Sequence, residues 1–475
     1  MAQKKKKNQI DPQLLFLLKL LGSLILILVI LMAGSTAVKF CMGLFMQGDY
    51  IVDLPGSTSP VLYRQPVQQS QATVPAATQP GAITETARAT ILATGDLMAH
   101  MPINTSANVQ GGGSFEYMFS NVAKQISAAD YAVVNLETTL AGTENGRAYS
   151  GSPYFNTPDA MADGAKAAGF DLLLTGNNHC IDNGTFGLKR TLDILKNRGL
   201  DTLGTTSTPE EPGYIIKDIG GIQVGMLCYT NGKLNGDSGQ PTLNGLTADQ
   251  NAAGLISVFD YRKLDSFYKE VGGRIEAMKQ AGAEVIVIFL HWGNDYSTQL
   301  DEYQPVIAQK LCDLGVDVIS GSHPHSVEPL VRLTSTADPR HTTLCLYSAG
   351  TFLSNLRADN ISMTGGHSED SVLFSFTFAK YSNGKIYLDS IRLLPTWVLL
   401  RGSGDNRYYS VLPLDYEAGD WKTMFSLSDD EVAAAKASYN RTMDQLGSGH
   451  IEIETAVKAE TEARLEAFAQ GMEPN

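Results

Sequence analysis

No two cysteines stand in a CxxC spacing, and the five cysteines of this 475-residue chain are an odd number, widely scattered. That argues against a disulfide framework. Cys228 and Cys345 sit in apolar, strand-like runs and read as small buried hydrophobes. Positive charge is also scarce: 36 Lys and Arg stand against 50 Asp and Glu, for a net charge of −14. Phosphate backbones attract Lys/Arg surfaces, so this balance argues against a nucleic-acid-binding body. It would also repel an anionic polymer unless metal ions intervene. Residues 56–86 lack any apolar period and are rich in Pro, Gln, Thr, Ser and Ala, the composition of a disordered tether. No lipid-attachment signature precedes Cys41, because Val38, Lys39 and Phe40 stand there.

Apolar residues are plentiful at 43 %, enough to fill a sizeable core in one large or two modest domains. Residues 20–38 form an uncharged run of bilayer-spanning length, with Lys4, Lys5, Lys6, Lys7 and Lys19 ahead of it. The positive-inside rule keeps residues 1–19 cytoplasmic and exports everything after Lys39. A cleaved signal peptide is the competing reading, since the small residues of 33–37 would admit cleavage. The apolar run exceeds a normal signal core, so an uncleaved anchor over 20–38 and a linker over 39–87 are expected.

The body is organised around residues 285–328. Two short Val/Ile-rich runs, 285–290 and 316–320, read as buried parallel strands, joined by a helical stretch over 303–314. Ligands of such units collect in the loops past the carboxyl ends of the strands. His291 lies just past the first run and His323 and His325 just past the second. Earlier strands over 89–93, 131–134 and 170–174 end in Asp96, in Asn135-Leu136-Glu137, and in Gly176-Asn177-Asn178-His179 with Asp182 nearby. The spacing predicts helices over 115–128, 160–168, 185–198 and 260–280. Hairpins are expected at Gly220-Gly221 and Ser382-Asn383-Gly384. Mixed strand–helix units and hairpins fit two sheets packed face to face with helices outside. Beyond Gly402 the chain turns to helix, opened by the capping box at Ser428 and Glu431, and carries no evident chemistry.

Taken singly, each polar candidate is an ordinary turn carboxylate or packed histidine. Together Asp96, Glu137, Asn178, His179, His291, His323 and His325 fall at predicted strand ends. Imidazoles, carboxylates and an amide oxygen make a ligand set for two divalent ions such as Mn, Zn, Fe or Mg. Two close ions can share a hydroxide and hold the oxygens of a phosphoryl group. His100, four residues after Asp96, would line the pocket. For Cys180 a buried structural thiol is the reading preferred to a metal thiolate.

These motifs resemble the CapA/PgsA family of poly-γ-glutamate capsule biosynthesis proteins, a branch of the calcineurin-like metallophosphoesterases. The matching residues are Thr94-Gly95-Asp96, Asn135-Leu136-Glu137, Gly176-Asn177-Asn178-His179 with Asp182 and Gly184, His291-Trp292-Gly293, Gly321-Ser322-His323-Pro324-His325, and Tyr347-Ser348-Ala349-Gly350 with Phe352. The resemblance spans about residues 88–355. It implies a four-layer α/β/β/α sandwich over 88–400, preceded by a membrane anchor and followed by a helical extension over 401–475. It also implies metal ligands at Asp96, Glu137, Asn178, His291, His323 and His325, with Glu137 bridging two ions. His179 would protonate the leaving group or contact the oxyanion. Substrate contacts are expected from Asn135, Asn177, Asp182, Trp292 and His100. The membrane, an anionic polymer and other capsule-synthesis membrane proteins are the implied partners. Three departures stand out: Met98 where the phosphoesterases carry a histidine, Glu137 in place of an aspartate, and Thr351 in place of an asparagine. Three functions follow as expectations: a capsule biosynthesis protein, an extracellular metal-dependent phosphoesterase, or a non-catalytic polymer-binding scaffold.

Overall fold

Alternation of apolar side chains decides the architecture. In β1 (Glu85–Leu97), Ile91 and Leu92 are both buried but belong to different cores, because successive strand residues face opposite ways. The computed structural model describes residues 82–474 apart from 237 and 362–364. The expected anchor, and the linker as far as residue 81, lie outside the described residues. Among the described residues no helix is long and apolar enough to cross a membrane.

Helix α1 (Met101–Gly111) follows β1, then β2 (Tyr131–Leu136), α2 (Ala160–Ala168), β3 (Leu172–Leu174), α3 (Gly184–Asn197) and β4 (Asp201–Leu203). Next come β5 (Tyr214–Ile219), β6 (Ile222–Asn231), the short β7 (Lys233–Asn235), β8 (Gln240–Leu243) and β9 (Leu246–Thr247), and β10 (Val258–Phe259). Then follow α4 (Leu264–Gln280), β11 (Val285–His291), α5 (Gln304–Asp313), β12 (Val318–Ser322), β13 (Leu330–Thr334) and β14 (Thr342–Leu346). The chain ends with β15 (Asp370–Tyr381), β16 (Ile386–Arg401), β17 (Tyr408–Pro413), α6 (Asp429–Leu446) and α7 (Gly449–Ala469).

One seven-stranded sheet runs β17-β16-β15-β1-β2-β3-β4, and a second runs β10-β6-β11-β12-β14-β13 with β5 beside β6. Strands β1 to β4 are mutually parallel, as are β6, β11, β12 and β14. Between the sheets lies a core of Ile91, Val133 and Phe376 against Val224, Val287 and Val318. Helices α1 and α2 cover the other face of the first sheet through Ile103 and Ala165, and α4 and α5 that of the second through Val271 and Ile307. Each fully buried Val, Ile or Phe contributes roughly 1.5–3 kcal/mol, so all three cores matter to stability.

Both expected hairpins form, with Gly220, Gly221 and Gly384 at positive φ in their turns. The Ser428–Glu431 capping box opens α6. The helix expected over 115–128 is instead two single turns, Glu116–Phe119 and Ala123–Ile126. Ser120 and Asn121 break it: Ser120 Oγ donates to the Tyr117 carbonyl, and the Asn121 amide donates to Ser410 Oγ. The linker boundary at 87 also shifts, since β1 begins at Glu85 and pairs with β15. The extension drawn over 401–475 is not separate: β17 completes the first sheet beside β16. Trp421 and Ala435 pack with Trp397 and Leu412, and Leu446 closes an end of the inter-sheet core.

Candidate metal centre

Parallel strands end together, so the residues after β1, β2, β3, β11 and β12 meet at one edge of the sandwich. Close backbone contact makes this possible. A Cβ on Gly95 would lie 1.9 Å from the Gly350 carbonyl oxygen, and one on Gly321 would lie 1.8 Å from that of Tyr347. Both positions therefore require glycine. The Asp96 N–H donates to the Gly350 carbonyl at 3.0 Å, which seats Asp96 at the edge.

Asp96 is fully buried. Its Oδ1 accepts from Asn135 Nδ2 at 2.7 Å, and its Oδ2 lies 3.0 Å from His325 Nδ1 and 3.2 Å from the His323 amide. Burial alone would raise its pKa, but the bonded His325 and nearby His291 outweigh it and hold the carboxyl at about 2. His291 Nδ1 lies 3.0 Å from Ser322 Oγ, and Nε2 lies 2.9 Å from Asn178 Oδ1 and 3.5 Å from Glu137 Oε1. Burial pushes His291 and His323 down to about 3, which keeps both imidazoles in the neutral form that ligates metals.

Glu137 is the anomaly. It is 0 % exposed, and neither carboxylate oxygen has a hydrogen-bond partner among the described residues. Burial, then the Asp96 and Asp295 charges, push its pKa well above the usual range. An isolated buried carboxylate is costly unless something compensates it. Two sets of side chains bring ligand atoms within 4.8 Å of one another, Asp96/Glu137/His291 and Glu137/His323/His325, and Glu137 is common to both. The donor set therefore fits two divalent cations. Backbone strain concentrates here as well. Among the described residues five non-glycines hold positive φ, and four of them, Asn244, Tyr296, His323 and His325, ring this site.

His179 stands beside the cluster, its Nδ1 2.7 Å from Asp182 Oδ2, which also accepts from the Phe155 amide at 2.6 Å. Its ring meets Phe155 edge-on at 4.7 Å, and Phe155 meets His100 at 5.0 Å. These rings wall a cavity of about 310 Å³ that Asn178 and His325 also line.

The expected ligands Asp96, Glu137, Asn178, His291, His323 and His325 thus converge, with His179 and His100 on the adjoining cavity. Three expected substrate contacts need correction, because their side chains point into the fold. Asn135 bridges Asp96 and His291. Asn177 donates to Asn135 Oδ1 at 3.0 Å and to the Leu136 carbonyl at 2.8 Å. Trp292 is fully buried against Tyr347 and donates to its carbonyl. Asp182 bonds the His179 ring, and its side chain is covered. Met98 is buried against Phe155 and Leu356, so an apolar side chain lines the cavity at this position. Thr351 is buried, away from the cavity, its amide donating to the Asp370 carbonyl.

Sequence reading missed Asp295, whose Oδ1 lies 3.6 Å from His323 Nε2 and 3.7 Å from His325 Nε2. Its signal was present: a carboxylate shortly past a strand end, as at Asp96. Asn244 and Asn355, also on the cavity, carried no such signal.

A family model described as "Bacterial capsule synthesis protein PGA_cap" matches residues 90–356. The capsule biosynthesis protein CapA of Bacillus anthracis is 24 % identical over 272 residues, covering 57 % of this chain and 60 % of that protein. The PGA biosynthesis protein CapA of Bacillus subtilis is 25 % identical over 268 residues, covering 54 % of this chain and 61 % of its own length. The chain thus spans about three-fifths of these curated relatives. Among solved structures, the calcineurin-like phosphoesterase YfkN of Bacillus subtilis aligns over 76 % of this chain and 99 % of its own, at 14 % identity and a TM-score of 0.38.

Proposed function

The chain belongs to the PGA_cap family of bacterial capsule synthesis proteins, and from that premise we propose that it is a membrane-anchored, extracellular capsule biosynthesis protein of the poly-γ-glutamate type. Its body would be a metallophosphatase-like α/β/β/α sandwich that binds two divalent ions, Mn, Zn, Fe or Mg. The observation that carries the metal reading is Glu137, a fully buried carboxylate with no hydrogen-bond partner among the described residues, shared by two ligand clusters. Asp96, Asn178 and His291 would hold one ion with Glu137, and His323 and His325 the other. Metal bound there supplies Lewis acidity and a nucleophilic hydroxide.

The chain's own residues have separate tasks in this reading. Asn135 orients Asp96 and His291, and Ser322 fixes the His291 ring. Asp182 holds the His179 Nδ1 proton, so Nε2 is the nitrogen left to protonate a leaving group. That dyad favours turnover over a purely scaffolding role, so the domain is proposed to be a metal-dependent hydrolase acting on a cell-surface phosphoester. The anchor reading rests on the lysines ahead of the apolar run over 20–38. The proposed partners are the membrane, the anionic polymer reached through bound cations, and other capsule-synthesis membrane proteins.

The test is capsule output from cells carrying His179→Ala at normal protein levels. Catalysis predicts loss of capsule. Retained capsule would leave the scaffold reading standing.

A further inference from the structure

The cavity beside the metal cluster bears on what the substrate is. At about 310 Å³ it lies at the small end of ligand pockets, with room for one ring rather than a length of polymer. Among the described residues no lysine or arginine lines it, and its one acidic side chain, Asp295, is more than half exposed. The rest of its polar lining is carboxamide and imidazole, with the hydroxyls of Ser152 and Tyr296. Three asparagines each use one end of the amide within the protein. Asn178 engages His291 through Oδ1, Asn244 donates to the Pro153 carbonyl through Nδ2, and Asn355 accepts from Tyr409 through Oδ1. Asn178 Nδ2, Asn244 Oδ1 and Asn355 Nδ2 have no hydrogen-bond partner among the described residues, so two donors and an acceptor remain beside the cavity. Apolar and ring surface completes it: Met98 and Leu356 pack on Phe155, and Tyr296 lies beside His325.

Charge limits what fits. Two divalent ions would outweigh the Asp96, Glu137 and Asp295 carboxylates by about one charge, which a single phosphoryl group already takes up. A second anionic group on the substrate would enter a cavity that holds no cation and would face Asp295, so its desolvation would go uncompensated. Hydroxyls meet the opposite case: open amide ends receive them, and a ring's C–H face lies against Phe155 and Tyr296.

We infer that the leaving group is an uncharged polyol ring, so that the site takes a neutral sugar phosphate and rejects one bearing a carboxylate. The proposal rests on the metal reading above and goes further by choosing between neutral and acidic leaving groups. Glutamyl carboxylates would then meet the protein elsewhere than in this cavity.

Glucose 1-phosphate and glucuronic acid 1-phosphate test it, since they differ only in a hydroxymethyl against a carboxylate. Each is titrated by calorimetry into the full-length His179→Ala protein loaded with Mn²⁺, so that binding is read without turnover, and metal content is measured on the same sample. The expected result is at least tenfold tighter binding of glucose 1-phosphate. Asn360→Lys, which puts a cation on the exposed rim, should narrow that gap by strengthening the glucuronate. Equal or tighter binding of glucuronic acid 1-phosphate, or no binding of either sugar to metal-loaded protein, overturns the proposal and leaves the metal reading intact. A folded sample without metal overturns both.

Discussion

Glu137 and Glu328 are both buried carboxyls, and they behave differently under mutation. Glutamine at 137 keeps the shape and has the neighbouring Asp96 carboxylate to donate to. Metal-free Glu137→Gln should therefore be more stable than metal-free wild type, by about 1–2 kcal/mol in denaturant unfolding. Added Mn²⁺ should raise the melting temperature of wild type and leave that of the variant unchanged. Glu328 lies three residues past His325, fully buried, with Oε2 accepting from Gln304 and Oε1 unpartnered. Burial pushes its pKa up to about 8. The folded state then holds a proton that the unfolded chain releases at ordinary carboxylate pH, so stability falls as pH rises from about 4.5 to about 8. Glu328→Gln should flatten that fall, which is at most about 1.4 kcal/mol per pH unit. Stability curves at pH 5, 6.5 and 8 would check it, and a parallel decline in the variant would contradict it. At this scale the sequence was legible where residue type and strand end coincided, as at Asp96, His291 and His325. It was silent on side-chain direction: Asn135, Asn177 and Trp292 share those motifs but turn inward.

The elements make a prediction about the C-terminal segment. Strand β17 completes a sheet, and Trp421 and Ala435 bury Trp397 and Leu412. A chain ending at residue 401 should therefore lose several kcal/mol and collect in the insoluble fraction, as expected when large core side chains are stripped of their partners. Ser428→Ala should cost only about 1 kcal/mol in thermal unfolding, through loss of the α6 cap. Hairpins and caps were readable because glycine pairs and the Ser/Glu box carry their own local geometry. The break near Ser120 was not, since it depends on Ser410, far along the chain. The docking of residues 402–475 was hidden for a related reason: apolar positions spaced for a helix do not name the surface they cover.

At the scale of the molecule, the two sheets bring carboxyl ends of strands from both halves of the chain to one edge, and a metal cluster is the use to which that edge is suited. With the net charge at −14, an acidic polymer would meet the body through bound cations. The most direct measurement is therefore the metal content of the protein purified without chelator, beside His291→Ala/His323→Ala. The account predicts two divalent ions per chain in wild type and their loss in the double variant, with both proteins folded. A folded wild type that carries no metal, and whose melting temperature does not move with added Mn or Zn, would contradict it.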